Sequence, residues 1–345
     1  MKIIRFTAPG EAETQFGCVV DGYAVSFATL AALSGEAADS LGSSGDYLAG
    51  LPGSEARART LHQWASDHPD RLRGGALLPL DAVRLETPVE VASLFDFGLT
   101  PRHLESSCRT WRRFERDDPA TAPLIALFEE RVRKPRTPPS GQLELLSHYK
   151  CNMNSIVGDD VDVPWPWYTE YLDVEPELAV VYGNLDQPIA GYTIFNDVSA
   201  RDVQPPELGR SFFLAKDMAR GNQLGPCLVT ADEVGNPFEL AVRVDVNGAE
   251  RFRGSTSEII RDANAVIATL EAVAPLLPGS VMGFGTIPDC TGLDNGDFLS
   301  PGDEVVITFE RLGRLRCRLL EPAAPVQPSR WPHRQELDRF RRQSA

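Results

Sequence analysis

The sequence predicts a mostly β fold with helices (α+β), in which a small N-terminal α+β unit precedes a larger sheet-rich domain. Three observations predict it. From about residue 150 onward, short apolar segments alternate with Gly, Pro and Asp turns, as in CLVTADEVGNP, ELAVRVDVNGAERFRG and SVMGFGTIP. That rhythm belongs to a β core, folded or barrel-like. Residues 103–134 instead place apolar side chains at helical spacing among Arg and Glu. The first 88 residues carry their own strand, hairpin and helix signals.

Taken in order, MKIIRFTA and QFGCVVDGYAVSFATL read as a strand and then a hairpin turning at Asp21-Gly22, a dipeptide suited to tight turns. A Gly/Ser-rich stretch leads to a helix over ARARTLHQWASDHP, and DAVRLETPVE reads as a linker strand. Leu104, Trp111, Phe114, Leu124, Leu127 and Phe128 mark two helices broken at Asp118-Pro119, followed by the proline-rich loop KPRTPPSG. Ser255-Thr256-Ser257-Glu258 has the form of a capping box and predicts the start of a helix over SEIIRDANAVIATLEAVAPLL. The tail is rich in Pro and Arg. The expected organisation is therefore 1–88, a small N-terminal domain; 89–322, the main sheet-rich domain; and 323–345, a C-terminal helix or arm.

A net charge of −15 argues against nucleic acid and anionic membrane surfaces as partners. No stretch has the length of a spanning helix, and the N-terminus lacks an apolar signal core, so a cytoplasmic enzyme is expected. The six cysteines are dispersed without a CxxC pair, which predicts reduced thiols rather than zinc or disulfides. Only four lysines stand against thirty arginines, so a lysine within an apolar segment draws notice.

Glu175 and Glu177 lie two apart in LDVEPELAVVYG, and Asp197 follows in IAGYTIFNDVSARD. A strand's period of two sends the glutamates out of one face. Charges on strands this apolar need neutralising, by a hard divalent cation or by salt bridges at a strand end.

The ordered set YLDVEPELAVVYG, IAGYTIFNDVSARDVQ, LAKDMARGNQLGPCLVTADEV, RFRGSTSEIIRDANAVIATL, PGSVMGFGTIP and LSPGDEVVITFERLGRLR resembles the fumarylacetoacetate hydrolase family over roughly residues 90–320. The resemblance implies a cation held by Asp96, Glu175, Glu177 and Asp197. Four carboxylates make an all-oxygen site suited to Mg²⁺, with Ca²⁺ or Mn²⁺ as alternatives. It further implies His103 as general base with Asp294 as its acidic partner, Lys216 and Gln204 as enolate-stabilising groups, and Tyr149, Arg112 and Thr286 as substrate contacts. On residues alone each has a plainer alternative: a surface turn for Asp96, a capping or surface histidine for His103, a solvated lysine for Lys216, an exposed Gln204, a packed Tyr149, a solvated helix face for Arg112, and a purely geometric turn around Thr286. Gly98 and Cys151 depart from the family pattern in the pocket wall.

The activity so implied is metal-dependent hydrolysis of a carbon–carbon bond in a β-diketo or acylpyruvate-type acid, on a small anionic oxo-acid substrate, by a homodimer built through the β-rich domain. Two alternatives stay open. One is a decarboxylase, dehydratase, lyase or isomerase of a small oxo-acid on the same metal site. The other is a non-catalytic ligand-binding protein of the same fold.

Overall fold

The computed structural model describes residues 1–72, 76–133 and 148–332. The larger of two main sheets runs in the order Leu78–Pro79, Tyr23–Ser26, Thr14–Val20, Lys2–Thr7, Asn222–Val229, Ile189–Asp197, Pro176–Tyr182, Ser280–Thr286, Ser93–Phe97 and His148–Lys150. Neighbours are antiparallel except Ser280–Thr286 beside Ser93–Phe97. The end strands do not pair with each other, so this sheet is open rather than a closed barrel. A second sheet holds Ala249–Ser255, Ala241–Val246, Glu304–Phe309, Gly313–Leu319 and Val161–Val163.

Strand Pro176–Tyr182 is buried along its whole length because both faces are covered. Leu178, Val180 and Tyr182 pack with Val242, Val305, Ile307 and Leu315 of the second sheet. The intervening Ala179 and Val181 pack with Tyr47, Leu48 and Leu61 of the N-terminal helices. Alternation therefore feeds two cores from one strand, and the segment reads as an uninterrupted apolar run.

The hairpin turn falls at Asp21 and Gly22, both at positive φ (49° and 84°), which a two-residue turn matched to strand twist requires. Helix Phe27–Ser34 is capped by the Ser26 hydroxyl, and Gly53–Asp67 fills the expected helical stretch. Helix Ser44–Ala49 arises within the Gly/Ser-rich segment, where the Ser43 hydroxyl accepts the Asp46 N–H at 3.1 Å. Hydrogen bonds and core both cross residue 88: Lys2–Thr7 pairs with Asn222–Val229, and Ile3 and Phe27 share a core with Leu228 and Val281.

The two helices expected after residue 103 are Pro101–Glu115 and Ala122–Arg133. Asp118 at the break accepts the N–H groups of Ala120 and Thr121. The capping-box expectation at 255–258 is corrected. Ser255 ends a strand, paired with Ala241, and residues Thr256–Glu258 form a single 3₁₀ turn. The α-helix begins later, at Ala263, where Asp262 caps the Ala265 N–H at 3.1 Å. The strand ladder holds Ser255 extended, and Asp262 supplies the competing cap. All six cysteines are free and buried, and no helix among the described residues is long and apolar enough to cross a membrane. The KPRTPPSG loop over 134–141 and the end of the arm, 333–345, lie outside the described residues.

Arg59 in the Gly53–Asp67 helix binds both Glu55 and Asp232, tying that helix to the turn after Asn222–Val229. The Arg59 hydrogen bond holds the Asp232 carboxyl well below the usual carboxylate range. A depressed carboxylate contributes stability that is complete above its unfolded value and is lost as pH falls through the folded value. Both groups are partly exposed, so Asp232→Asn should cost less than about 1 kcal/mol at neutral pH. In urea melts the difference from the parent protein should shrink steadily below about pH 4; a difference that grows in acid contradicts this.

Candidate active site

Register across the large sheet brings the acidic residues to one place. Glu177 stands opposite both Phe195 and Thr286, Asp96 opposite both Gly283 and Tyr149, and Asp197 ends its strand opposite Asn222. Glu175 precedes its strand, but its carbonyl still accepts the Asp197 N–H and its own N–H is held by Asn196 Oδ1, both at 3.1 Å. Oxygens of Asp96, Glu175 and Glu177 lie within 4.8 Å of one another, all three residues buried. Asp197 is fully buried beside them and binds Lys216 and Tyr149 through Oδ2, while its Oδ1 has no partner.

Lys216 Nζ bridges Glu175 and Asp197. It is buried, its ammonium stabilised by those carboxylates against the cost of burial. Arg201, also fully buried, binds Asp173 through Nε at 2.9 Å and Glu175 through Nη1, with Gln204 Oε1 at 3.4 Å. Asp173 in turn accepts the N–H groups of Gly292 and Leu293 at 2.8 and 2.9 Å. That fixes the Gly292–Asn295 turn, which presents Asp294 to His103 Nδ1 at 2.9 Å. His103 sits in the first turn of its helix, after Pro101, with Nε2 3.5 Å from Glu175 Oε1 and 3.4 Å from the Ser107 hydroxyl.

The electrostatics follow from burial and crowding. Burial raises Glu177 well above its usual value, reinforced by Asp96, Glu175 and Asp197. Asp96 and Asp197 are also raised by burial, partly countered by Lys216. For Glu175, burial is outweighed by Arg201 and Lys216, which hold it well below the ordinary range. Burial disfavours a charged His103, yet Asp294 and Glu175 push it up to about 9. A cation taking the Glu175 oxygens would remove one of those two causes and make the imidazole less basic.

The chemistry of this donor set fits a hard divalent ion. Among the described residues, six carboxylates (Asp96, Asp173, Glu175, Glu177, Asp197, Asp294) face three cationic side chains, Lys216, Arg201 and His103, and a buried Asp197 oxygen is left over. Asp96, Glu175 and Glu177 could hold the ion directly, with Asp197 at its side.

Ten of the expected residues thus lie in this cluster or on its wall, Thr286 through a 3.3 Å hydrogen bond to Glu177 and Tyr149 through Asp197. Arg112 does not join them: its guanidinium is half-exposed and bound to Glu129 of the next helix. Asp173 and Arg201 went unnoticed in the sequence, although Asp173 extends the period-two acidic series backward and Arg201 stands inside NDVSARD.

Residues 128–320, more than half of the chain, match the family model described as fumarylacetoacetate (FAA) hydrolase, C-terminal. The chain belongs to the fumarylacetoacetate hydrolase family. An uncharacterized protein of Staphylococcus haemolyticus is 33% identical over 173 residues, covering 47% of this chain but only 57% of that relative. Among solved structures, 2-hydroxyhepta-2,4-diene-1,7-dioate isomerase from Mycobacterium marinum aligns over 94% of this chain and 100% of its own, with a TM-score of 0.60 and 24% identity. Maleylpyruvate hydrolase from Sphingobium sp. SYK-6, in complex with manganese(II) and pyruvate, aligns over 93% of this chain and 100% of its own, with a TM-score of 0.59 and 20% identity. At such identities these likenesses show the fold. The two solved structures so aligned are named as an isomerase and a hydrolase.

Gly283 is where this family site is tightest. A Cβ there would stand 2.6 Å from Glu177 Oε2 and 2.7 Å from the Phe195 ring. Glu177 is pinned by the Gly285 N–H at 2.9 Å, so it cannot yield without losing that bond. Gly283→Ala should lower Mn²⁺ affinity at least about tenfold by calorimetry while the far-ultraviolet circular dichroism stays unchanged. Unaltered affinity would show that Glu177 does not touch the ion.

Proposed function

We propose that the chain is a divalent-metal-dependent hydrolase that cleaves a carbon–carbon bond in a β-diketo or acylpyruvate-type acid. The observation that carries this reading is the buried convergence of Asp96, Glu175 and Glu177 with His103, Asp294 and Lys216 around them. A bound Mg²⁺ or Mn²⁺ would supply Lewis acidity toward the substrate's paired oxygens.

The remaining chemistry falls to the protein. With Nδ1 committed to Asp294, His103 Nε2 is the atom that takes a proton from water as the water oxygen bonds to the distal carbonyl carbon. The carbon–carbon bond then breaks, its electron pair becoming an enolate that Lys216 Nζ and the Gln204 side chain stabilise. His103 returns the proton to the enolate carbon. One diketo-acid and one water give one carboxylic acid and one 2-oxo acid. Tyr149 and Thr286 support the metal-side carboxylates in this scheme, since each donates to one of them.

A second reading is favoured by the upward shift of His103. An imidazolium beside the metal site suits proton donation to an enolate without water attack, as a decarboxylase, dehydratase, lyase or isomerase needs.

With acetylpyruvate and Mg²⁺, the enol absorbance should decay, and complete chelation should abolish that decay; turnover unaffected by metal removal defeats both readings. His103→Ala should cost the hydrolase about 10²–10⁴-fold in kcat. Product analysis separates the readings, because only hydrolysis releases acetate together with pyruvate.

A further inference from the structure

Trp331 is almost completely buried, and its indole N–H donates at 2.6 Å to Glu115, the last residue of the helix whose first turn carries His103. Glu115 is itself buried and also accepts the Thr121 hydroxyl and Arg330. The indole ring lies 5.0 Å from Phe114, 5.1 Å from Tyr171 and 6.0 Å from Phe298. These three rings stand on three parts of the site's support. Phe114 is on the His103 helix. Tyr171 precedes Asp173, and its carbonyl accepts the Arg201 N–H at 2.8 Å. Phe298 follows the turn that presents Asp294.

The segment around Trp331 is fastened along its length. The Gln327 N–H donates to the Trp167 carbonyl at 2.6 Å, and the Ser329 N–H to Glu170 at 2.7 Å. Arg330 binds Asp118 at the break between the two helices, and the Tyr171 hydroxyl donates to the Pro332 carbonyl. The family match ends at residue 320, so this fastening is added by the chain beyond it.

We propose that residues 327–332 latch the helix pair 101–133 onto the sheet, and that Trp331 is a positioning residue for the His103–Asp294 pair. Asp96, Glu177 and Asp197 stand on strands that the latch does not touch, whereas His103 reaches Asp294 only while its helix stays docked at the far end. The proposal rests on the role given to His103 above, but its geometry can be read without turnover.

The test uses the full chain with Trp331→Ala and with Trp331→Phe, which keeps a ring and deletes the N–H. Diethylpyrocarbonate modification of His103, followed by mass spectrometry, should quicken at least tenfold in the alanine variant and severalfold in the phenylalanine variant. Hydrogen exchange over 101–115 should rise in the same order, with Mn²⁺ affinity within about threefold of the parent. On acetylpyruvate, kcat should fall at least tenfold in the alanine variant, with KM within about threefold. Should Trp331→Ala not fold, Trp331→Phe alone decides. Unchanged His103 reactivity in a folded variant, or Mn²⁺ affinity lost in step with it, overturns the latch. A parent protein inert toward acetylpyruvate refutes the hydrolase reading, while reactivity and exchange still decide the latch.

Discussion

Burying several carboxylates at the ends of central strands is the constraint on which the rest of this structure depends. Desolvation alone would drive Glu177, Asp96 and Asp197 toward their neutral forms, and the neighbouring carboxylates raise Glu177 and Asp197 further. The fold answers by burying Lys216 and Arg201 as well, an arrangement that would be costly if either partner were absent. The negative charge left over, and the unpartnered Asp197 oxygen, make the place receptive to a hard cation.

That balance also links parts of the chain that a list of site residues would treat separately. Arg201 joins Glu175 to Asp173, Asp173 holds the Gly292–Asn295 turn, and that turn gives Asp294 to His103. The imidazole is thus oriented through one buried guanidinium and two main-chain N–H groups. Two different strand ends and a helix behave as one assembly, because each polar group needs the next to satisfy it.

Much of this was legible in the sequence, for identifiable reasons. The Glu175–Glu177 spacing reports a strand face directly, and Asp21-Gly22 reports a turn whose φ values few other pairs adopt. Asp96 and His103 were legible only through the ordered family motifs, since their significance lies in register between distant strands. Arg201 and Asp173 escaped because an Arg–Asp pair in an apolar run has no local signature of burial. Arg112 is found on the partly solvated helix face that its arginine-rich surroundings also suggest, paired with buried Glu129. At Ser255-Thr256-Ser257-Glu258 the local capping pattern was present but the ladder with Ala241 overrode it. The sheet crossing residue 88 was hidden for the same reason: pairing across the chain leaves no mark on composition.

The strand Lys2–Thr7 sits between Thr14–Val20 and Asn222–Val229, pairing Lys2 with Val229. The whole stretch from Thr7 to Asn222 must be made before that edge finds its neighbour. Until then Lys2 and Ile3 stand on an open ladder, a template for wrong pairings. Contacts this remote in sequence slow the search for the native arrangement. The order of assembly is therefore imposed by topology: the pocket's walls can become rigid only after translation has passed them.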